Sequence, residues 1–227
     1  GAVFVGHAGG STGTARRLAF DFEQLDDDVP CHALFLDNFG LEEHALALWR
    51  PVPPGVAGIR RALIHARLGK PVARWFSQTP VAWPAAPVQS AALTALLIAG
   101  ARMWGRGFAV PRHVPLAGVS RIVRWIDAAV RAGASIHFTT SVSSAIRVCE
   151  AARGAGVPLD RVFFALGGEP FSPRRAALFA AAGARTGTLY SMTECGQMGC
   201  GCGDAREPDD VHLMPSKVAF IQRAVPG

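Results

Sequence analysis

Aromatic residues are scarce in this 227-residue chain, at 8%, and tyrosine occurs once, as Tyr190. Proteins that hold single-stranded nucleic acid stack successive bases on aromatic side chains, so the formal charge of +6 does not by itself argue for that partner. Charge is also sparse, with 18% of residues charged against 50% hydrophobic, which excludes an intrinsically disordered chain. No apolar run is long enough to cross a bilayer. The longest, Ala91 to Ala101, is about half of the roughly 20 residues a spanning helix needs, and it reads as a buried helix. The first residues, GAVFVGHAGG, lack the basic start and long apolar stretch of a secretory signal. Five cysteines are neither an even nor a dense set, which favours a reducing cytoplasm over a disulfide scaffold. A P-loop is missing too, because the only Gly-Lys pair, Gly69-Lys70, is followed by Pro71.

The elements that are present alternate. The opening AVFVG reads as a strand feeding a glycine-rich loop, His7 to Thr14. Between Val29 and Pro54 the pattern suggests a strand at His32 to Leu36 and a helix near Leu41 to Trp49, ended by the prolines at 51, 53 and 54. Pro71 to Pro87 reads as irregular. Helices are expected over Gln89–Trp104 and Val119–Ala132, the latter amphipathic, with Arg121, Arg124 and Arg131 on its wet side. From Ser135 the pattern becomes strand (to Thr139), helix (Ser141 to Ala155, capped by Ser141 or Ser143), strand (Arg161 to Leu166), turn (Gly167-Gly168-Glu169-Pro170), helix (Ser172 to Ala182) and strand (Thr186 to Tyr190). Such β-α-β-α-β order implies parallel pairing, hence an α/β fold with predominantly parallel sheets covered by helices. Ligands in such folds gather at the carboxyl ends of the strands, where Gly167 to Pro170 and Ser191 to Glu194 both fall.

The segment His7 to Arg17 has the makings of a phosphate cradle. Glycines let backbone N–H groups converge on an anion, Ser11, Thr12 and Thr14 add hydroxyl donors, and Arg16 or Arg17 adds charge. Its Gly9-Gly10-Ser11-Thr12-Gly13 is also a formal G-x-S-x-G, so an α/β-hydrolase with Ser11 as nucleophile is a second reading.

Ser11-Thr12-Gly13-Thr14 with Arg16 resembles the phosphate-binding signature of the adenylate-forming superfamily, with Ala15 in place of its proline and Arg16 in place of its lysine. Tyr190-Ser191-Met192-Thr193-Glu194 resembles that superfamily's Tyr-Gly-x-Thr-Glu motif, with serine for glycine. Gly167-Gly168-Glu169-Pro170 resembles its adenine-facing turn. Order and spacing agree across roughly residues 5 to 195. With Arg74-Trp75-Phe76-Ser77-Gln78, the pattern is most similar to the phenylacetate-CoA ligase branch and its acyl-protein synthetase relatives.

The resemblance implies the large N-terminal domain of an adenylate-forming enzyme, with ATP-dependent activation of a small carboxylic acid as an acyl-adenylate and transfer to CoA or a carrier-protein thiol. No protein nucleophile is needed, only positioning and charge stabilisation at a phosphoryl group. It implies that Ser11, Thr12, Gly13 and Thr14 cradle the β- and γ-phosphates, that Arg16 supplies the cation, and that Thr193 bonds the α-phosphate. Glu194 would hold Mg²⁺. Tyr190 would stack on the adenine of ATP or AMP, with Gly167, Gly168, Glu169, Pro170 and Ser191 close by. Residues 1–227 are thereby expected to be a partial nucleotide-binding core that lacks the C-terminal mobile domain, binding nucleotide weakly and not adenylating by itself; a homodimer is among the assemblies allowed.

Cys195, Cys200, Cys202 and His212 supply three thiols and an imidazole, a complete tetrahedral set for structural Zn²⁺ within residues 195–212. Free thiols in a glycine-rich loop are the competing expectation, and a non-catalytic, zinc-stabilised binding module is the third functional reading. The remaining histidines, His7, His32, His44, His65, His113 and His137, are expected to be surface or core residues, and Asp26-Asp27-Asp28 a solvated acidic turn.

Overall fold

A computed structural model describes the backbone of residues 4–8, 16–20, 22–103, 109–216 and 218–221, and the side chains of 23–100, 109–216 and 218–221. Strands β1 (Phe4–Ala8) and β2 (Arg16–Phe20) form an antiparallel hairpin whose register pairs Ala8 with Arg16. The glycine-rich residues 9–15, including Ser11, Thr12, Gly13 and Thr14, join those two ends and lie outside the described residues. A nucleophile elbow needs a helix directly after the turn, whereas here a strand follows, so the hydrolase reading of Ser11 loses its structural context.

Helix α1 (Phe22–Phe39) comes next and corrects the expected strand at His32 to Leu36. Its buried positions, Leu25, Asp28, Cys31, His32, Phe35 and Leu36, recur at three- and four-residue spacing, which puts them on one helical face. The expected helix near Leu41 to Trp49 is instead strand β3 (Ala45–Trp49): Leu46, Ala47, Leu48 and Trp49 are all buried because the strand is covered on both sides. Helix α2 (Val56–Arg67) follows the prolines, and strand β4 (Arg74–Ser77) occupies the segment expected to be irregular.

Helix α3 (Val88–Met103) forms as expected but is not buried. It connects β4 to the edge strand β5 (Arg112–His113); Leu97 and Ile98 pack inward while Leu96 is 70% exposed. Helix α4 (Val119–Arg131), β6 (Ile136–Thr140), α5 (Val142–Gly154), β7 (Val162–Leu166), α6 (Pro173–Ala181) and β8 (Arg185–Met192) agree with the expected alternation. Arg121, Arg124 and Arg131 are exposed. Ser141 is the N-cap of α5, its side chain accepting from the Ser144 amide, and Gly183 leaves α6 at φ +71°. Strands β9 (Gly196–Cys200) and β10 (His212–Leu213) complete the sheet.

The sheet order is β10-β9-β8-β7-β6-β3-β4-β5, parallel from β8 to β5, with β9 and β10 added antiparallel at the β8 edge. The chain runs outward from β3 through β4 and β5, then returns to the other side of β3 as β6. The order therefore reverses between β3 and β6, the place where open α/β sheets form a crevice for ligands. Helices α4, α5 and α6 cover one face, and α1 and α2 the other. Among the described residues, no helix is long and apolar enough to cross a membrane.

Candidate functional site

The strand-order reversal places three chain ends side by side: Arg50 after β3, Thr140 at the end of β6 and Gly167 after β7. The Arg50 side chain ties them together, its Nη2 donating to the carbonyl oxygens of Thr140 at 2.7 Å and Gly167 at 3.1 Å. Over this edge opens a cavity of about 160 Å³ lined by Arg50, Thr139, Gly167, Gly168, Ser191 and Thr193, with Asp28, Arg60, Arg61 and Gln197 on its inner wall. Beside it lies a shallower, more apolar pocket bounded by Gly168, Glu169, Pro170, Phe171, Leu189 and Tyr190. Gly168 and Ser191 belong to both, so the two pockets share a boundary.

Most of the residues expected from the motifs thus converge. Tyr190 is 44% exposed and presents its ring to the shallow pocket, with Phe220 tilted beside it at a centroid distance of 6.5 Å. Thr193 faces the cavity. Glu194 is exposed in the turn after β8, its backbone carbonyl accepting from Gln24 Nε2 at 2.7 Å, so its carboxylate is accessible to a hard cation. The backbone of Arg16 ends the hairpin whose other strand, β1, lies against α2, one wall of the cavity. Its side chain is outside the described residues.

Gly167 and Gly168, expected beside the adenine, are also required by the fold itself: at Gly167 a Cβ would sit 2.7 Å from the Leu189 carbonyl oxygen of β8. Gly168 has φ +86°, which independently favours glycine. The Glu169 carboxylate does not face the shallow pocket alone. It accepts from the Ser143 amide at 2.9 Å and the Ser143 hydroxyl at 2.7 Å, at the N-terminus of α5. Burial pushes the Glu169 carboxyl up, but these hydrogen bonds, helped by Ser141 and Arg175, outweigh it and hold the group below its ordinary range.

The zinc expectation is corrected as well. Among the described residues no group of three or more His, Cys, Asp or Glu side chains could hold a metal ion. Strand β9 is the reason: Cys195 precedes it and Cys200 ends it, about 17 Å apart along extended chain, whereas thiolates sharing one ion each lie about 2.3 Å from it. Cys200 pairs with His212 across β9 and β10, while Cys202 lies beyond the strand. All three cysteines are free thiols.

The inner wall escaped sequence reasoning. Asp28, read as part of a solvated turn, is fully buried, with Oδ2 accepting from Arg60 Nε at 2.5 Å and Oδ1 from the Gln197 amide at 3.1 Å. Behind it, His32, His65 and His137, expected to be surface or core residues, are in the core and form a contiguous buried group. Arg61 Nη1 donates to His32 Nδ1 at 2.6 Å, which leaves the His32 proton on Nε2, facing His65 Nε2 at 2.7 Å. Burial, then the nearby Arg61 charge and the other rings, pushes His32 well below its ordinary value; burial, then His137 and Arg61, does the same to His65. Burial, then Arg61, lowers His137 to about 3. Burial also lowers Arg50 and Arg61, each to about 10; on Arg61 the attraction of Asp28 opposes this, while repulsion from Arg50 and Arg60 adds to it. The only signal in the sequence was the spacing of Asp28 and His32 with Leu25, Phe35 and Leu36 on a single helical face.

Against known proteins, no family profile and no curated sequence matches this chain. Its backbone, however, has the fold of the N-terminal domain of adenylate-forming enzymes, a mostly parallel sheet covered by helices. In particular it is similar to 2-hydroxyisobutyryl-CoA ligase, solved in complex with 2-HIB-AMP and CoA, at a TM-score of 0.57 and 15% identity over 88% of this chain and 39% of that one. It is also similar to O-succinylbenzoate coenzyme A synthetase from Bacillus subtilis, in complex with ATP and magnesium ion (TM-score 0.54, 15% identity, 87% and 32%). A third is McyG A-PCP complexed with phenylalanyl-adenylate (TM-score 0.55, 15% identity, 91% and 28%). The chain therefore spans between about a quarter and two fifths of the length of these structures.

Proposed function

We propose that this chain is the nucleotide- and acid-binding core of an enzyme that activates a small carboxylic acid with ATP as an acyl-adenylate and passes the acyl group to CoA or a protein thiol. The observation that carries this reading is the meeting of the Gly167–Pro170 turn and the Ser191–Thr193 segment at the carboxyl edge of the parallel strands, beside a cationic cavity at the strand-order reversal. The shallow pocket suits a purine: Tyr190 offers a ring face, and Pro170, Phe171 and Leu189 an apolar wall. Thr193, which lines the cavity, would donate to the α-phosphate. Ser11, Thr12, Gly13 and Thr14, with Arg16, would hold the β- and γ-phosphates, and Glu194 would hold Mg²⁺, which neutralises phosphate charge as pyrophosphate leaves. We assign the chain to the phenylacetate-CoA ligase-like branch on its motif spacing, and to the cytoplasm, where ATP and CoA are available.

Calorimetric titration with ATP·Mg²⁺ and with AMP tests the binding half. Heat with saturation at millimolar nucleotide or below is expected, and Thr193→Val, which removes the hydroxyl while keeping the shape, is expected to weaken it by about 1 kcal/mol or more. Absence of both heat and thermal shift at millimolar nucleotide would overturn the reading. Pyrophosphate exchange across a panel of acids, with the complete enzyme, tests the chemical half.

A further inference from the structure

The cavity at the β3–β6 reversal carries more positive charge than its own carboxylates balance. Arg50, Arg60 and Arg61 all line it, and among the described residues Asp28 is the one acidic residue of the lining. That carboxylate is already engaged by Arg60 and the Gln197 amide. Arg61 is bonded to neutral groups, His32 Nδ1 and, at 3.3 Å, Gln197 Oε1. Arg50 is bonded to two carbonyl oxygens, and the acid acting on it, Glu169, is itself held by Ser143. Two desolvated guanidinium groups therefore face one space and repel each other across it. An anion placed between them relieves both the repulsion and the lost hydration.

The cavity's position says which anion. Nucleotide is assigned to the Tyr190 pocket, and the two pockets meet at Gly168 and Ser191. An acid whose reacting carboxylate lies at that boundary would extend its other end towards Arg61 and the Arg60–Asp28 pair. At about 160 Å³ the cavity is close to the 150 Å³ that accommodates benzene, so the acid is short. We propose that Arg50 and Arg61 form a subsite for a second, non-reacting carboxylate, and that the substrate class is a short dicarboxylic acid. This rests on the proposed adenylation reading for the orientation of the acid, but not for the anion subsite itself.

The test compares succinate with butyrate, which has the same chain length and lacks the second carboxylate, by calorimetry on the chain with and without saturating AMP. Succinate is expected to bind at least tenfold more tightly than butyrate in either condition. Arg61→Met is expected to abolish the preference, and Arg61→Lys to retain part of it. Equal binding of the two acids by the unsubstituted protein overturns the proposal whatever the variants do. Displacement of succinate by AMP, or inorganic phosphate binding more tightly than succinate at this site, also overturns it, because the arginines would then belong to the nucleotide phosphates. Succinate preference without nucleotide binding supports the subsite while removing the adenylation reading, so the two failures are distinguishable.

Discussion

The two faces of the central sheet are made from the same strands, yet they differ in kind. On the face covered by α4, α5 and α6, strands β3, β6 and β7 contribute Ala47, Trp49, Ile136, Phe138, Val162, Phe164 and Leu166, and the layer is predominantly apolar, with Thr140 and Ser144 as its buried hydroxyls. On the face covered by α1 and α2, β6 contributes His137 and Thr139, and they meet Asp28, His32, Arg60, Arg61 and His65. Side chains alternate along a strand, so one five-residue run, Ile136 to Thr140, serves a hydrophobic core on one side and a charged site on the other. The first face holds the molecule together by area. The second holds a constellation whose members depend on one another, because each buried polar group needs its partner.

Two substitutions of the largest expected effect probe that contrast. Phe164→Ala removes a fully buried ring from the apolar face and is expected to cost about 3–5 kcal/mol in urea unfolding. Asp28→Ala leaves Arg60 buried without the carboxylate now facing its Nε, and is expected to cost a similar 3–5 kcal/mol although far less apolar area is lost. A loss below about 1 kcal/mol for Asp28→Ala would show that the polar face is not coupled in this way.

The next effect is a dependence on pH that belongs to one face only. His32, His65 and His137 are neutral in the folded protein because their affinities for a proton are depressed, whereas in the unfolded chain each titrates near 6.5. As pH falls below about 6.5 the unfolded state binds protons that the folded state refuses, so stability is lost towards acid and regained towards neutrality. Each histidine contributes a slope of about 1.4 kcal/mol per pH unit within that window, and for His137 it extends down to about pH 3. Urea midpoints between pH 7.5 and 4.5 measure it. His137→Phe is expected to flatten the slope by one proton's worth, while Phe164→Ala is expected to lower all points equally.

The smallest effect concerns the helix that borders both the apolar face and the Gly167 turn. Ser141→Ala removes the N-cap of α5 and is expected to cost about 1 kcal/mol by thermal or urea unfolding. The Glu169 carboxylate on Ser143 remains as a second cap, so a loss much above that figure would mean the two act as one unit.

What could be read in advance divides along the same line. From Ser135 to Tyr190 the strands and helices were legible, because each is bounded by its own turn or cap: Ser141, the Gly167-Gly168 turn, Pro173 at the start of α6, Gly183 after it. The Gly167–Pro170 and Tyr190–Glu194 motifs also bring Gly168, Tyr190 and Thr193 to adjoining pockets, since they close one local β-α-β unit. The stretches His32 to Leu36 and Leu41 to Trp49 were misread for a physical reason. The buried face of α1 includes Asp28 and His32, polar residues that interrupt the hydrophobic signal, while β3 is apolar on both sides and carries no alternation to distinguish strand from helix. The cysteine spacing suggested a metal site, which the extended path of β9 pulls apart.

By itself, then, the sequence determined the α/β class, strands β6 to β8 and the turns that border the shallow pocket, all of which depend on contacts within a few tens of residues. Only the tertiary structure decided the cationic cavity. Its walls come from α1, α2, β3, β6 and the start of β9, segments up to 169 residues apart, as in the Asp28–Gln197 contact. No local pattern encodes which buried charges will face one another. That is set by the order of strands in the sheet, and here by its reversal between β3 and β6.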